Sequence, residues 1–271
     1  MISAEESKNI KQYVEKYRKQ LFEKFVQVGQ GHPGSTFSML EMATTLYHGG
    51  YMNYNLSQNK FENKCLISKG HATVTLYPML VEFGLLSESE WINWGTGEPT
   101  CLRVFGNKSI PGIDMTSGSL GHGIGVGAGM AIADPTKHVY VIISEGELYE
   151  GSTWEALLFV NHHKISNMTI FIDINNLIIL GKTDDCLKLN SIHTKLKGFE
   201  NLELAEGVGA FSRPEKTPSP KPEPQPEPEP IQSVRRGRGR PRGSTNRPAS
   251  APTPAVPSID KKELRVQQTS Y

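Results

Sequence analysis

The sequence predicts an α/β fold, a parallel β-sheet flanked by helices, and three consecutive segments carry that prediction. Residues 138–143 form a short apolar run that leads to an acid and a glycine, and residues 168–174 form a second, β-branched apolar run. Between them, apolar side chains recur at helical spacing over 152–163. Strand, helix and strand at this spacing form a unit with parallel strands. Both strands therefore end at one edge of the sheet, where open α/β sheets bind ligands.

The residues that follow these two strands suit a divalent cation that holds a phosphate. Glu145 and Gly146 follow the first strand, and Asn175 follows the second. Mg²⁺ prefers oxygen ligands and usually keeps phosphate oxygens in its shell, and a glycine lets the backbone approach a phosphate closely. The alternative for Glu145 is an acid at a helix N-terminus, where the helix dipole stabilises it.

Further elements are expected upstream of this unit. Ser3 and Glu6 have the spacing of a capping box and predict a helix that runs to about Val28, with apolar residues on one face. The other predictions are a helix over 38–48, a strand over 64–68 that leads into a helix as far as 83, and a short helix over 87–95.

The glycine-rich stretch 118–130 has two interpretations. It has the look of a nucleotide-binding loop, but it is equally compatible with a helix of small residues that packs closely against a neighbour. No strand clearly precedes it, which favours the helix for the later glycines.

The composition divides the 271 residues into unlike parts. Thirteen of the eighteen prolines lie after Ser212. We therefore expect one α/β domain over 1–205, apparently truncated at its C-terminal end, a Pro/Glu-rich linker over 206–234 and a basic, disordered tail over 235–271. The formal net charge of +1 averages a mildly acidic front and a tail that has twelve Lys and Arg against six Asp and Glu from Ser212 onward.

The same composition excludes several classes of protein. The three cysteines have neither metal-binding nor disulfide spacing and are expected to be reduced thiols. The polar N-terminus lacks the apolar segment of a secretory signal, and no apolar run approaches the roughly 20 residues of a membrane span. We therefore expect a soluble, cytoplasmic protein.

Several motifs in the front part resemble those of the transketolase family, in the family's order over about 10–200. The family's thiamine diphosphate motif is Gly-Asp-Gly followed by Asn about thirty residues later, and it is matched here by Ser144-Glu145-Gly146 and Asn175-Asn176. The other matching segments are Gly31-His32-Pro33-Gly34, Ser68-Lys69-Gly70-His71, Gly118-Ser119-Leu120-Gly121 and Glu147-Leu148-Tyr149-Glu150-Gly151. The resemblance implies the diphosphate-binding half of a transketolase, with thiamine diphosphate and Mg²⁺ as cofactors.

The resemblance also implies roles for individual residues. As Mg²⁺ ligands it implies Glu145, the Asn175 side chain and the Leu177 backbone carbonyl. The residues it implies for cofactor contact are His71, Gly118, Ser119, Leu120, Gly146 and Asn175. As catalytic residues it implies His71 near the diphosphate, His32 at the sugar substrate, and Glu150 as a link between two active sites across a dimer interface. The alternatives are structural histidines and, for Glu150, a solvated helix face.

The sequence departs from the family pattern in ways that change the expected function. Glu145 replaces the usual aspartate, and no histidine precedes Pro111-Gly112, which alters the expected sugar-phosphate site. The match stops near Phe199, so the pyrimidine-binding domain of the family is missing and must come from a partner chain, in a homodimer or heterotetramer. The resemblance also implies that the domain continues with another strand and helix, and without them we expect a sheet edge to be uncovered.

The basic tail supports a rival function. Its segment Arg238-Gly239-Arg240-Pro241-Arg242 resembles an AT-hook, whose arginines enter an A·T minor groove. The alternative is a low-complexity tail that binds any polyanion. Three hypotheses follow: a transketolase-like subunit that transfers two-carbon ketol units between sugars, or performs a related carboligation, with a partner; a non-catalytic remnant that binds A·T-rich DNA; or an unstable truncated product.

Overall fold

The computed structural model describes residues 3–189 and 191–199. The predicted linker and tail, including the candidate DNA-binding residues 238–242, lie outside the described residues. Among the described helices, none is long and apolar enough to cross a membrane. Cys65 is buried, Cys101 and Cys186 are exposed, and all three are free thiols, as expected.

The first helix, α1 (Ala4–Val28), begins at the predicted capping box. The Ser3 backbone N–H donates to Glu6 Oε2 at 2.7 Å, and the Glu6 N–H donates to Ser3 Oγ at 3.2 Å. The helix ends at Gly29, whose φ of +67° suits a residue without a side chain. Its buried face contains the predicted apolar positions Ile10, Val14, Tyr17, Leu21 and Phe25.

The second predicted helix is wrong in its start. The chain forms two helices, α2 (Pro33–Ser38) and α3 (Leu40–His48), separated by Met39. Pro33 opens α2 because a proline has no N–H to lose in the first turn of a helix. The glycines and proline of 29–34 predict a break in the chain rather than a helix. Helix α2 nevertheless forms here, and it places Ser35 and Ser38 beside the sheet edge.

The central sheet is parallel and has the strand order β3-β4-β5, which confirms the predicted fold class. Its strands are β3 (Lys64–Ile67), β4 (Val139–Ser144) and β5 (Met168–Asp173). Ile67 is opposite Ile142, and Ser144 is opposite Asp173. Two small antiparallel hairpins accompany it, β1 (Tyr54–Asn55) with β2 (Lys60–Phe61) and β6 (Leu177–Ile178) with β7 (Gly181–Lys182).

The remaining helices surround these strands. They are α4 (Tyr77–Glu82), α5 (Glu88–Asn93), α6 (Gly123–Ala133), α7 (Gly151–His162), α8 (Thr183–Cys186) and α9 (Ile192–Leu196), with 3₁₀ turns at Gly70–Leu76 and Glu145–Tyr149. The predicted helix up to residue 83 is therefore 3₁₀ in its first half.

Strand β4 joins two hydrophobic cores because its side chains alternate between the two faces of the sheet. Tyr140 and Ile142 belong to the core that contains the buried face of α1. Val141 and Ile143 belong to the core that contains α6 and α7. The outer strand β5 is different, since five of its six residues are only half-buried and the described chain adds no strand beyond it.

Helix α6 resolves the glycine-rich stretch in favour of a packed helix. It begins at Gly123, and a Cβ there would lie 2.3 Å from the Ser68 Cβ. A Cβ on Gly127 would lie 2.6 Å from the Val141 side chain. Close packing against the end of β3 and the middle of β4 therefore explains these two glycines, whereas Gly129 faces open space. Residues 118–122 precede the helix as a separate turn.

Candidate cofactor site at the carboxyl edge of the sheet

The three parallel strands deliver polar residues to one edge of the sheet. Lys69 follows β3, Glu145 follows β4, and Asp173 ends β5. Because parallel strands end at the same edge, residues far apart in the chain meet there. The contacts at this edge form three groups: an ion pair with a histidine, an acidic turn, and a loop before α6.

A buried ion pair connects the ends of β3 and β5. The Lys69 ammonium pairs with the Asp173 carboxylate, and the two side chains are 1% and 8% exposed. Lys69 Nζ also donates to the Ser35 carbonyl at 3.0 Å and to Ser38 Oγ at 3.1 Å. Burial lowers the pKa of Lys69, although the Asp173 carboxylate acts in the opposite direction. The pair thus fixes α2 against the sheet edge.

His71 lies beside this pair in a neutral state. Its Nε2 is 2.9 Å from Ser35 Oγ, and the His32 ring centroid is 5.1 Å away. Burial lowers the pKa of His71 to about 4, with further lowering by His32 and by the Lys69 ammonium. His32 is exposed at the start of α2. The structure therefore brings together the two histidines that the resemblance implied.

The acidic turn after β4 contacts the loop after β5. Glu145 is only 5% exposed, and its Oε2 accepts the Asn176 backbone N–H at 2.7 Å. Asn175 is exposed, and its Oδ1 accepts the Leu177 N–H at 3.0 Å. The three implied metal ligands Glu145, Asn175 and Leu177 therefore belong to adjoining loops.

The oxygen atoms of these three residues match the ligands that Mg²⁺ prefers. They are a carboxylate, an amide oxygen and a backbone carbonyl, and oxygens of this kind accept more than the one hydrogen bond seen here. In the described residues, no group of three or more His, Cys, Asp and Glu side chains could hold a metal ion. Among the described residues, the oxygens implied for an ion at this edge are therefore one carboxylate, that of Glu145, and two neutral oxygens.

The loop that contains Gly118, Ser119 and Leu120 passes close to the end of β3. Gly70 immediately precedes His71, and a Cβ on Gly70 would lie 3.2 Å from the Gly118 backbone N. Gly118 itself faces open space, Ser119 is exposed, and Leu120 is half-buried. The backbone of this loop is therefore accessible to a ligand at the edge.

Gly146 and Glu150 lie at the two ends of the acidic turn. A Cβ on Gly146 would approach the Ile178 side chain to 3.3 Å, so the turn packs closely on β6. Glu150 is exposed at the start of α7, and a Cβ on Gly121 would lie 2.6 Å from the Glu150 Cβ. Glu150 is accessible to a neighbouring molecule, but it does not touch His32 or His71.

The turn is anchored to the helix that follows it. Thr153 Oγ1 donates to the Glu147 carbonyl at 2.6 Å, and Trp154 Nε1 donates to the Leu148 carbonyl at 2.8 Å. Both donors belong to the first turn of α7. Side chains of α7 thereby hold the backbone of the turn that contains Glu145 and Gly146.

A cavity of about 540 Å³ opens on one side of Glu145. The residues that line it include Glu145, Asn176, Tyr149, Asp184 and Lys188. The lining includes neither His32, His71 nor the loop 118–120, so the cavity covers only the side of the edge next to α8 and α9.

Sequence reasoning gave no role to four residues that organise this edge: Ser35, Lys69, Asp173 and Glu147. A signal was present for Glu147, because Ser144 and Glu147 have the capping-box spacing. No local signal relates Lys69 to Asp173, which are 104 residues apart.

Comparison with known proteins places the chain in a family. The profile described as "Transketolase, thiamine diphosphate binding domain" matches residues 10–201. The chain is 33% identical to one subunit of the apulose-4-phosphate transketolase of Phocaeicola vulgatus over 196 residues, which is 68% of this chain and 67% of that protein. It is 34% identical to human transketolase over 168 residues, which is 58% of this chain and only 25% of that protein.

Solved structures show the same fold. Transketolase from Leishmania mexicana matches with a TM-score of 0.60 and 23% identity, over 73% of this chain and 31% of that chain. Transketolase from Campylobacter jejuni matches with a TM-score of 0.61 and 20% identity, over 70% of this chain and 32% of that chain. Together with the family profile, these likenesses confirm the predicted identification: the chain belongs to the transketolase family of enzymes and carries the thiamine diphosphate-binding domain of that family.

Proposed function

We propose that this chain is the thiamine diphosphate- and Mg²⁺-binding subunit of a two-chain transketolase that transfers two-carbon ketol units between sugar phosphates. The observation that carries the proposal is the polar carboxyl edge of the sheet, where Lys69, His71, Glu145 and Asn175 follow three neighbouring parallel strands. The similarity to a relative whose name makes it one subunit of an apulose-4-phosphate transketolase supports the same division into two chains.

Each part of the edge has a role in this proposal. Glu145, the Asn175 side chain and the Leu177 carbonyl hold Mg²⁺. His71, Gly146, Asn175 and the loop 118–120 contact the diphosphate. Thiamine diphosphate, when bound, would supply a nucleophilic carbon. The chain itself binds and orients, because its buried ion pair and packed turn fix these groups before any ligand arrives.

His71 acts as a neutral hydrogen-bonding group. The pKa of His71 is lowered to about 4, so near pH 7 its ring is uncharged, and its Nε2 is next to Ser35 Oγ. In this arrangement the other ring nitrogen is directed by that contact and is available to a phosphate or sugar oxygen. His32, exposed and 5.1 Å away between ring centroids, is the residue through which the sugar is contacted.

A partner chain would complete the cofactor site in this proposal. The family profile matched by residues 10–201 is that of the diphosphate-binding domain. We propose that the pyrimidine ring of the cofactor is bound by a second chain, in a homodimer or heterotetramer. Exposed apolar side chains on α6 and α7, namely Val126, Ile132, Leu158 and Phe159, support such a contact. The exposed Glu150 lies at the start of the same α7 and is the candidate link between paired sites.

The alternative function remains the one predicted from the tail. In it, the chain is a non-catalytic remnant that binds A·T-rich DNA through 238–242. The domain boundaries at 205 and 234 and the cytoplasmic location likewise remain predictions.

A calorimetric titration of the full chain with thiamine diphosphate in the presence of Mg²⁺ tests the proposal. We expect saturable binding that disappears without Mg²⁺ and weakens by about 10-fold or more in Glu145→Ala, because the metal loses its charged ligand. The matched control is Asp134→Ala. Asp134 is also a carboxylate that accepts a backbone N–H, that of Thr136 at 3.2 Å, but it precedes β4 at the opposite edge of the sheet.

Two outcomes would contradict the proposal. One is a folded wild-type chain that binds no thiamine diphosphate, either alone or with the pyrimidine-binding subunit of a two-chain relative. The other is equal loss of affinity in Glu145→Ala and Asp134→Ala. Salt-sensitive binding to an A·T-rich duplex without any response to the cofactor would favour the remnant instead.

A further inference from the structure

We propose that Glu147 is a positioning residue for the cofactor site. Its carboxylate holds the loop 118–121 and the turn that carries Glu145 and Gly146 against the end of β3. The proposal rests on the proposed function, because it concerns how the backbone segments that contact the diphosphate are held in place.

The Glu147 side chain is completely buried and is surrounded by hydrogen-bond donors. Its Oε1 accepts the Gly121 backbone N–H at 2.9 Å and also the hydroxyl of Ser68. Its Oε2 accepts the Ser144 N–H at 2.8 Å. One carboxylate therefore joins three segments: the end of β3, the end of β4 and the loop before α6.

A purely local role does not account for these contacts. A capping box explains the bond between Glu147 and Ser144, which are three residues apart. Gly121 and Ser68 lie 26 and 79 residues away, and they belong to the other two sides of the site. Ser68 extends the connection, because its Oγ accepts the Gly123 N–H at 2.9 Å where α6 begins.

The backbone at Gly121 depends on this contact. Gly121 has a φ of +81°, a conformation that residues other than glycine rarely adopt. A side chain there would also collide with Glu150, whose Cβ would lie 2.6 Å from the added Cβ. The turn 118–121 contains no regular secondary structure of its own. Gly121 makes two long-range hydrogen bonds: its N–H donates to Glu147 Oε1 at 2.9 Å, and its carbonyl accepts from Ser152 Oγ at 3.0 Å. The bond to Glu147 is the one that connects this loop to the turn after β4.

The position requires a carboxylate rather than an amide. Each oxygen of Glu147 faces a backbone N–H, which can only donate: Oε1 faces that of Gly121 and Oε2 faces that of Ser144. A carboxylate only accepts, whereas a glutamine would direct its NH₂ group at a donor and leave a buried N–H unpaired. Burying a charge is costly unless it is hydrogen-bonded, and the bonds from Gly121, Ser144 and Ser68 offset that cost.

Glu147→Gln in the full chain tests the proposal with two readouts. The first is amide hydrogen exchange of the ligand-free chain, measured by mass spectrometry on peptides that cover 117–123. The second is the affinity for thiamine diphosphate with Mg²⁺. We expect faster exchange in these peptides and an affinity about 10- to 100-fold weaker than that of the wild type, the range typical of groups that orient ligands.

Asp114→Asn is the matched control. Asp114 also accepts a strand N–H, that of Cys65 at 3.0 Å, and it pairs with Lys64 at 2.8 Å, but it lies at the start of β3. Its replacement should reduce stability without a change in cofactor affinity. A loss of affinity in Glu147→Gln that merely follows the loss of stability, as judged by this control, would overturn the proposal.

The remaining outcomes separate this proposal from the proposed function. Unchanged exchange over 117–123, or faster exchange with wild-type affinity, overturns the role of Glu147 while leaving cofactor binding intact. A wild-type chain that binds no cofactor contradicts the proposed function and, with it, the role assigned to Glu147. If Glu147→Gln does not fold, Ser68→Ala is measured in the same way, since it removes the tie to β3 and keeps the carboxylate.

Discussion

The turn after β4 and the loop after β5 contribute to the same sheet edge but are built differently. Glu145 and Glu147 are buried and accept hydrogen bonds from several parts of the chain. In the hairpin after β5, Ile179 and Leu180 are 97% and 80% exposed, and the bonds are mostly local. Regions with few buried contacts open more easily than cores. The chain therefore fixes one side of its candidate site by itself and leaves the other side loosely supported.

The largest expected effect on stability comes from breaking the buried ion pair of Lys69 with Asp173 at the end of β5. Lys69→Met should lower the free energy of unfolding by about 3–5 kcal/mol, because it leaves the buried Asp173 carboxylate without its cation. Chemical denaturation measures the change. Lys16→Met is the control, since the pair of Lys16 with Glu82 is partly exposed and should contribute less than about 1 kcal/mol.

The double variant Lys69→Met with Asp173→Leu sharpens this result. Removal of both charges should recover much of the lost stability, because the cost lies in an unpaired buried charge. Equal destabilisation by Lys69→Met and Lys16→Met would show that the β5 end is not held by the buried pair.

The same substitution, isoleucine to alanine, at one position in β4 and one in the hairpin after β5 tests the comparison between these two regions. Ile143 in β4 is 1% exposed, so Ile143→Ala should cost about 2–5 kcal/mol through lost packing and a cavity. Ile179→Ala in the hairpin should change the free energy of unfolding by less than about 0.5 kcal/mol. Thermal or denaturant unfolding of both variants measures the difference. A large effect at Ile179 would mean that the hairpin is supported by contacts outside the described residues.

The smallest expected effect is a pH dependence on the buried side. The pKa of His71 is about 4 in the folded chain, below its ordinary value of 6.5, because burial disfavours the charged ring. Between these values the unfolded chain binds a proton that the folded chain excludes, so stability falls as the pH decreases through this window. His71→Asn should therefore flatten the curve of unfolding free energy against pH from 6.5 to 4.

His48 provides the comparison for that measurement. Burial lowers its pKa to about 4 as well, but it stacks on Tyr13 with 3.7 Å between ring centroids, away from the sheet edge. His48→Asn should flatten the same part of the curve, whereas only His71→Asn should also weaken cofactor binding. An unchanged curve in His71→Asn would show that its ring is charged in the folded state.

Periodic and local signals in the sequence predicted much of the fold. The capping box of Ser3 and Glu6, the parallel strands around α7 and the close packing of Gly127 all follow from residues a few positions apart. Helix α2 was missed because Pro33 and Gly34 suggest a break, although a proline is well tolerated in a first helical turn.

The site was predictable only in part, for a physical reason. The resemblance named Glu145, Asn175, His32 and His71, and the structure brings these pairs to one edge. The groups that hold them act across the fold, as in the pair of Lys69 and Asp173. Such contacts depend on which strands become neighbours, and a single sequence does not state that directly.

The hydrogen bond from Trp154 to the Leu148 carbonyl makes the protein its own optical probe. The chain has three tryptophans, and Trp91 and Trp94 stack on each other with 5.9 Å between ring centroids in the other core. Trp154 is attached to the turn that carries Glu145 and Gly146. With Trp91 and Trp94 changed to phenylalanine, the emission of the remaining indole would report on that turn in real time, without any added dye.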